Sequence, residues 1–247
     1  MFDSSKYKKI AKQQLKGRWG LPVIAYIILV AFNLILNRSG TKSYSAWFTN
    51  FVQSIISGTT SAFMQSTPAP TVSAKSTFLF VCIQFFIISI VSFAFNYVFI
   101  AYSHTVEKQS FKTYFKGYSF WLQAFLGSLW NYIWVFLWSL LLVIPGIIKG
   151  ISYSMMFNIL AEYPDIGVRK AMNLSKEMTK GQKGNLFVMG LTFIGWILLT
   201  AITLGIAGLY AIPYMQMSYV NAYHDIKQNA IERGVLKQED FISSEEE

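Results

Sequence analysis

Residues 78–102 read FLFVCIQFFIISIVSFAFNYVFIAY, 25 positions without a single charge. A bilayer core of about 30 Å takes roughly 20 apolar residues per helix, so this stretch is long enough to cross it with some tilt. Residues 120–144 repeat both the length and the absence of charge. Four further apolar runs flank these two, at 20–37, 147–161, 186–204 and 206–223. The run at 147–161 is short and carries Lys149. The last contains Pro213, whose missing backbone donor predicts a kink. The resulting expectation is all-α: a polytopic membrane helical bundle with about six transmembrane helices. It forms one domain over residues 1–226, followed by a polar, fraying tail at 227–247.

Composition supports lipid over water as the solvent. Of 247 residues, 53% are hydrophobic and 17% aromatic, and 13% are charged, against roughly 25% charged in a soluble domain. Mean hydropathy is +0.40. A soluble globular enzyme is nearly excluded on these proportions. The net charge of +9 comes from residues lying between apolar runs and forms no basic domain. Anionic lipid headgroups, and not nucleic acid, are therefore the expected counter-charge. Cys82 is the single cysteine and lies in an apolar run, which leaves no disulfide framework and no thiol metal site.

Loop charge sets an expected orientation. Residues 1–18 hold Lys6, Lys8, Lys9, Lys12, Lys16 and Arg18. With a cytoplasmic start, 17 of the 21 Lys and Arg fall inside, leaving Arg38, Lys42, Lys75 and Lys149 outside. That asymmetry follows the positive-inside rule and puts both termini in the cytosol. All 12 acidic residues fall inside too. Leu36-Asn37-Arg38 offers no small-x-small cleavage site, so the first span is read as retained rather than as a signal peptide. In the outer loop, 38–77, Trp47, Phe48, Phe51, Val52, Ile55 and Ile56 recur at helical spacing. They suggest an amphipathic helix on the outer membrane surface or a cap on the bundle.

Two cytoplasmic segments, 7–17 and 165–180, have the pattern of interfacial amphipathic helices. Tyr7, Ile10, Ala11 and Leu15 form the apolar side of the first. Val168, Ala171, Met172, Ser175 and Met178 form that of the second, opposite Arg169, Lys170, Lys176 and Lys180. Candidate headgroup contacts are Lys8, Lys9, Lys12, Lys16, Arg18, Lys180 and Lys183. The second helix is either a lipid anchor or a dock for a membrane or cytoplasmic protein partner.

Several ordered motifs run through the chain. They include Leu15-Lys16-Gly17-Arg18-Trp19-Gly20, Ile144-Pro145-Gly146-Ile147-Ile148-Lys149 and Ser152-Tyr153-Ser154-Met155. Ser175-Lys176-Glu177-Met178-Thr179-Lys180-Gly181, Phe193-Ile194-Gly195-Trp196 and Thr203-Leu204-Gly205-Ile206 with Pro213-Tyr214 follow. Together they resemble the bacterial integral-membrane family known as domain of unknown function 975, over nearly the whole chain. The resemblance implies a multi-span bacterial membrane protein and no particular reaction, cofactor or ligand.

Lys149 is the most informative single residue, because an ionisable group inside a span marks a functional site by default. With a hairpin turn at Pro145-Gly146 it sits near the outer boundary, where it either snorkels or is buried against freed carbonyls or an anionic lipid. Gly146-x-x-x-Gly150 allows close helix approach or a broken helix lining a cavity. Asn96, Asn131 and Asn158 serve as interhelical glue or line a polar pathway. Trp130, Trp134 and Trp138 form one stripe, with Trp134 near mid-span; packing and a binding face both fit. His104, His224 and the His224-Asp225 pair match no zinc or triad pattern. No catalytic residue, metal or cofactor is expected. The expected role is non-enzymatic, through protein or lipid contacts, as a membrane-integrity, immunity or assembly factor. The alternative is a transport component moving a small solute or lipid-like molecule.

Overall fold

A computed structural model describes residues 2–40, 53, 74–107, 109–141 and 143–241, and every regular element among them is helical, as expected. In chain order these are α1 (Ser4–Leu15), α2 (Gly20–Gly40), α3 (Ala74–His104), α4 (Phe111–Tyr118), α5 (Trp121–Leu141) and α6 (Val143–Tyr153). They continue with α7 (Met156–Glu162), α8 (Val168–Met178), α9 (Lys183–Leu191), α10 (Ile194–Ile202) and α11 (Gly208–Glu232). Short 3-10 turns lie at Pro164–Ile166 and Gln238–Phe241. The chain divides into two compact units, residues 28–88 and residues 1–27 with 89–247.

Within residues 28–88, α2 continues to Gly40 and α3 begins at Ala74, so helix replaces both ends of the expected loop at 38–77. Leu34, Ile35, Phe78 and Leu79 are exposed, and Asn33 Nδ2 donates to the Leu29 carbonyl at 2.9 Å, which satisfies the amide within its own helix. The amphipathic helix expected around Trp47 to Ile56 lies, Gln53 apart, outside the described residues.

In the larger unit, α1 starts earlier than the expected 7–17 segment. Asp3 caps it, its carboxylate accepting from the Ser5 and Lys6 amides at 2.9 and 3.2 Å. Tyr7, Ala11 and Leu15 are buried. Tyr7 donates to Asp225 Oδ2 at 2.6 Å, and Asn221 Nδ2 donates to Gln14 Oε1 at 2.8 Å. The apolar face of α1 is thus covered by α11, not laid on lipid as the sequence suggested.

The expected turn at Pro145-Gly146 is displaced. α5 ends at Leu141 and α6 begins at Val143, so both residues are helical. Pro145 falls in the first turn of α6, where a missing N–H breaks no bond. Gly146 meets α5 so closely that an added Cβ would stand 3.0 Å from Ser139 Cα. The Gly146-x-x-x-Gly150 reading therefore holds at one end, since Gly150 faces open space. Between α6 and α7 the helix breaks at Ser154-Met155, and α8 repairs the break. Ser175 Oγ donates to the Ser152 carbonyl at 2.8 Å and accepts from the Met155 amide at 3.2 Å.

That arrangement corrects the second interfacial helix. Pro164–Ile166 is a 3-10 turn, and Gly167, at φ +77°, separates it from α8. Ala171, Met172, Ser175 and Met178 are buried against α5, α6, α7 and α11, so protein and not lipid covers that face.

Three stretches are each long and apolar enough to cross a membrane: Phe78–His104, Ile144–Glu162 and Lys183–Ile202. The bent pairs α1 with α2 (101°) and α4 with α5 (63°) raise the number to five among the described residues. The expected sixth run, 206–223, lies in α11 and is not among them. Tyr210, Tyr214, Gln216, Tyr219 and Asn221 dilute its hydropathy, and Pro213 is buried inside the helix. The tail is also corrected: α11 runs on to Glu232, and Leu236 and Phe241 are buried, so folding continues past Lys227.

Candidate functional site

Two polar places stand out. The first is a cleft where α5, α6 and α8 meet. The helical repeat puts Trp130, Trp134 and Trp138 on one face of α5, and Arg169 and Lys176 project from α8 toward the same line. A cavity of about 300 Å³ is lined by these five side chains and Lys149, among others. Lys149 Nζ stands 4.3 Å from the Trp138 ring centre and the Arg169 guanidinium 5.4 Å from that of Trp130. The indole stripe is thus a wall against which two of the protein's own cations lie. Lys149 and Lys176 line one cavity, so they cannot occupy opposite faces of a membrane. The expectation of Lys149 outside and segment 165–180 inside fails for that reason.

The second place gathers the ends of α3, α7 and α11. Glu162 accepts from Lys227 Nζ at 2.6 Å and from the Tyr223 hydroxyl, and His104 Nε2 lies 3.5 Å away. Lys227 also sits over the rings of Tyr163, Tyr223 and Phe241. His224 Nε2 meets Ser103 Oγ at 2.8 Å, and the two imidazoles are 5.2 Å apart. Ser103 gives its one proton to the Ile100 carbonyl at 2.6 Å. That placement of the proton goes with the Nε2–H tautomer of His224, and a base activating Ser103 would need the other tautomer. Asp225 turns the other way, to Tyr7 and Asn229, so the neighbouring His224-Asp225 pair does not act as a unit. Among the described residues no three His, Cys, Asp or Glu side chains are grouped to hold a metal ion.

Burial pushes the His224 imidazole down to about 4, with Glu162 opposing and Lys227 and His104 reinforcing the shift. The folded protein therefore holds this group neutral, while the unfolded chain protonates below about pH 6.5. Stability is lost as pH falls from about 6.5 toward 4, by up to ~1.4 kcal/mol per pH unit. Melting temperatures in detergent should drop across that window, and His224→Gln should flatten the profile.

The remaining expected positions scatter. Asn96, Asn131 and Asn158 each leave a buried Oδ1 without a hydrogen-bond partner, so they are not acting as glue through that atom. Lys8 donates to Thr192 Oγ1 at 2.5 Å and lies over Phe193, and Lys12 lies over Tyr214. Arg18 donates to the carbonyls of Gln14, Thr105 and Glu107. These headgroup candidates point at protein. Lys9 and Lys16 are exposed, Lys180 pairs with Glu177 at 3.6 Å, and Lys183 opens α9. Sequence reading missed Glu162 and Lys227, which no spacing connects. It also missed the cleft, although Arg169, Asn173 and Lys176 share one face of α8 at i, i+4 and i+7, as the tryptophans share one face of α5 at i, i+4 and i+8.

No curated protein and no solved structure matches the chain. The model of the family described as Protein of unknown function (DUF975) matches residues 129–230, from the middle of α5 through most of α11. The motif-based resemblance therefore holds over that stretch, with Leu15 to Gly20 lying outside it.

Proposed function

We propose that the protein is a non-catalytic integral membrane protein of a bacterial cytoplasmic membrane, acting through lipid and protein contacts in membrane integrity, immunity or assembly. One observation carries the reading: α10 buries none of its residues, and Ile194, Ile197, Leu198, Leu199 and Ile202 all face outward. A continuous apolar surface of that kind needs lipid or protein over it. Both termini are assigned to the cytosol, which takes an even number of crossings and so counts the 206–223 run of α11 as a sixth beside the five stretches above. The excess of basic residues near the chain start supports this, as does the Tyr7 to Asp225 bond, which holds the two ends of the chain together.

The membrane fraction should keep the full chain through alkaline carbonate and release it only to detergent; release by carbonate overturns the proposal. Ser5→Cys and Lys237→Cys should both resist a membrane-impermeant thiol reagent in intact cells and react after permeabilisation. Labelling of one end alone overturns the orientation. Transport of a small solute or lipid-like molecule is the second reading, supported by the unpartnered amide oxygens of Asn96, Asn131 and Asn158. Flux through reconstituted vesicles that vanishes in Lys149→Ala or Pro145→Ala would replace the first reading with the second.

A further inference from the structure

The cleft of α5, α6 and α8 concentrates positive charge with nothing to neutralise it. None of Lys149, Arg169 and Lys176 makes an ion pair among the described residues, and Lys176 and Lys183 stand close enough to repel Lys149. The indoles of Trp138 and Trp130 hold two of the cations by their faces, which positions a charge without cancelling it. Lysine, arginine and indole offer only donors, and Asn173 and Tyr153 in the same lining can donate as well, so with three cations present the complementary ligand is an anion. Phosphate suits that set.

A second cavity, of about 470 Å³, lies beside the first, with Trp130 and Arg169 in the lining of both. Leu126, Leu129, Ile133 and Val168 complete its lining. These side chains offer a peptide backbone no hydrogen-bond partner, whereas a hydrocarbon chain needs none. A charged compartment beside an apolar one, with two lining residues in common, has the polarity of an amphiphile. We propose that this cleft binds one anionic glycerophospholipid, with its phosphate held by Lys149, Arg169 and Lys176 and an acyl chain along Leu126, Leu129, Ile133 and Val168. The proposal rests on the reading of the chain as a membrane protein, and it names a lipid class and a site that reading leaves open.

The test uses the full chain purified in a neutral detergent. Phosphatidylglycerol, phosphatidylcholine and glycerol 3-phosphate are added separately, and adducts are counted by native mass spectrometry. One phosphatidylglycerol is expected to remain bound at concentrations about tenfold lower than phosphatidylcholine requires. Arg169 and Lys176 are exposed, so Arg169→Gln with Lys176→Gln should melt like the wild type while losing that tenfold preference. Lys237→Gln removes a charge elsewhere and should keep it. Phosphatidylglycerol with brominated acyl chains should also quench wild-type tryptophan fluorescence more than that of Trp130→Phe. Equal retention of the two lipids, unchanged preference in the double variant, or equal quenching overturns the proposal. Glycerol 3-phosphate binding as tightly as the lipid overturns the acyl-chain part and leaves a free-phosphate site. Carbonate extraction separates the two claims: a chain stripped from membranes sinks the membrane reading, and a retained chain without lipid preference sinks only this one.

Discussion

Glu162→Gln is expected to lower the unfolding free energy by about 3–5 kcal/mol, the usual result of leaving one half of a buried ion pair behind. The Glu162 and Lys227 side chains are 10% and 12% exposed, and their contact is 2.6 Å. Lys227 is enclosed by Tyr163, Tyr223 and Phe241, so no water replaces the lost carboxylate. Lys227→Met should cost a similar amount by stranding Glu162 beside the Tyr223 hydroxyl. Their combination should recover much of the loss, because a neutral, well-filled site avoids two desolvation penalties. Denaturant titration of the detergent-solubilised variants measures the cycle. Additive single losses with no recovery in the double variant would show that the pair is not coupled.

Gly117→Ala is the second large effect. Alanine is intrinsically the better helix former by about 1 kcal/mol, yet here its Cβ would lie 2.7 Å from Ala94 Cα and 3.0 Å from Ala94 Cβ. A backbone atom cannot rotate aside, and Ala94 is fully buried, so α3 and α4 must separate at a cost on the order of 1–3 kcal/mol. Gly150→Ala is the control: it has open space around it, and should leave stability unchanged or raise it. Melting temperatures that move in the same direction for both would refute the close-approach explanation.

Helix content was legible because uncharged runs of 25 residues admit few other structures. The boundaries were less so. Asp3 is an ordinary N-cap, and ignoring it moved the start of α1 by three residues. The turn misplaced at Pro145 shows a proline read as a breaker where it sat in a helix's first turn. α1 and α8 misled for one physical reason: an amphipathic pattern states that a face needs cover and does not say whether lipid or protein supplies it. Of the cleft, the sequence showed Lys149 and the tryptophan stripe. Arg169 and Lys176 entered only when α8 folded back along α5 to close the break at Ser154. The Glu162 cluster joins residues from α3, α7 and α11, and nothing local in the sequence marks it.

The bond from Tyr7 to Asp225 joins positions 218 apart, which sets a schedule for synthesis. At ~5–20 residues per second, roughly 10–45 seconds separate the emergence of the two partners. Through that interval Tyr7, Ala11 and Leu15 have no α11 to cover them. The packing of α1 is therefore completed only after α11 has been translated.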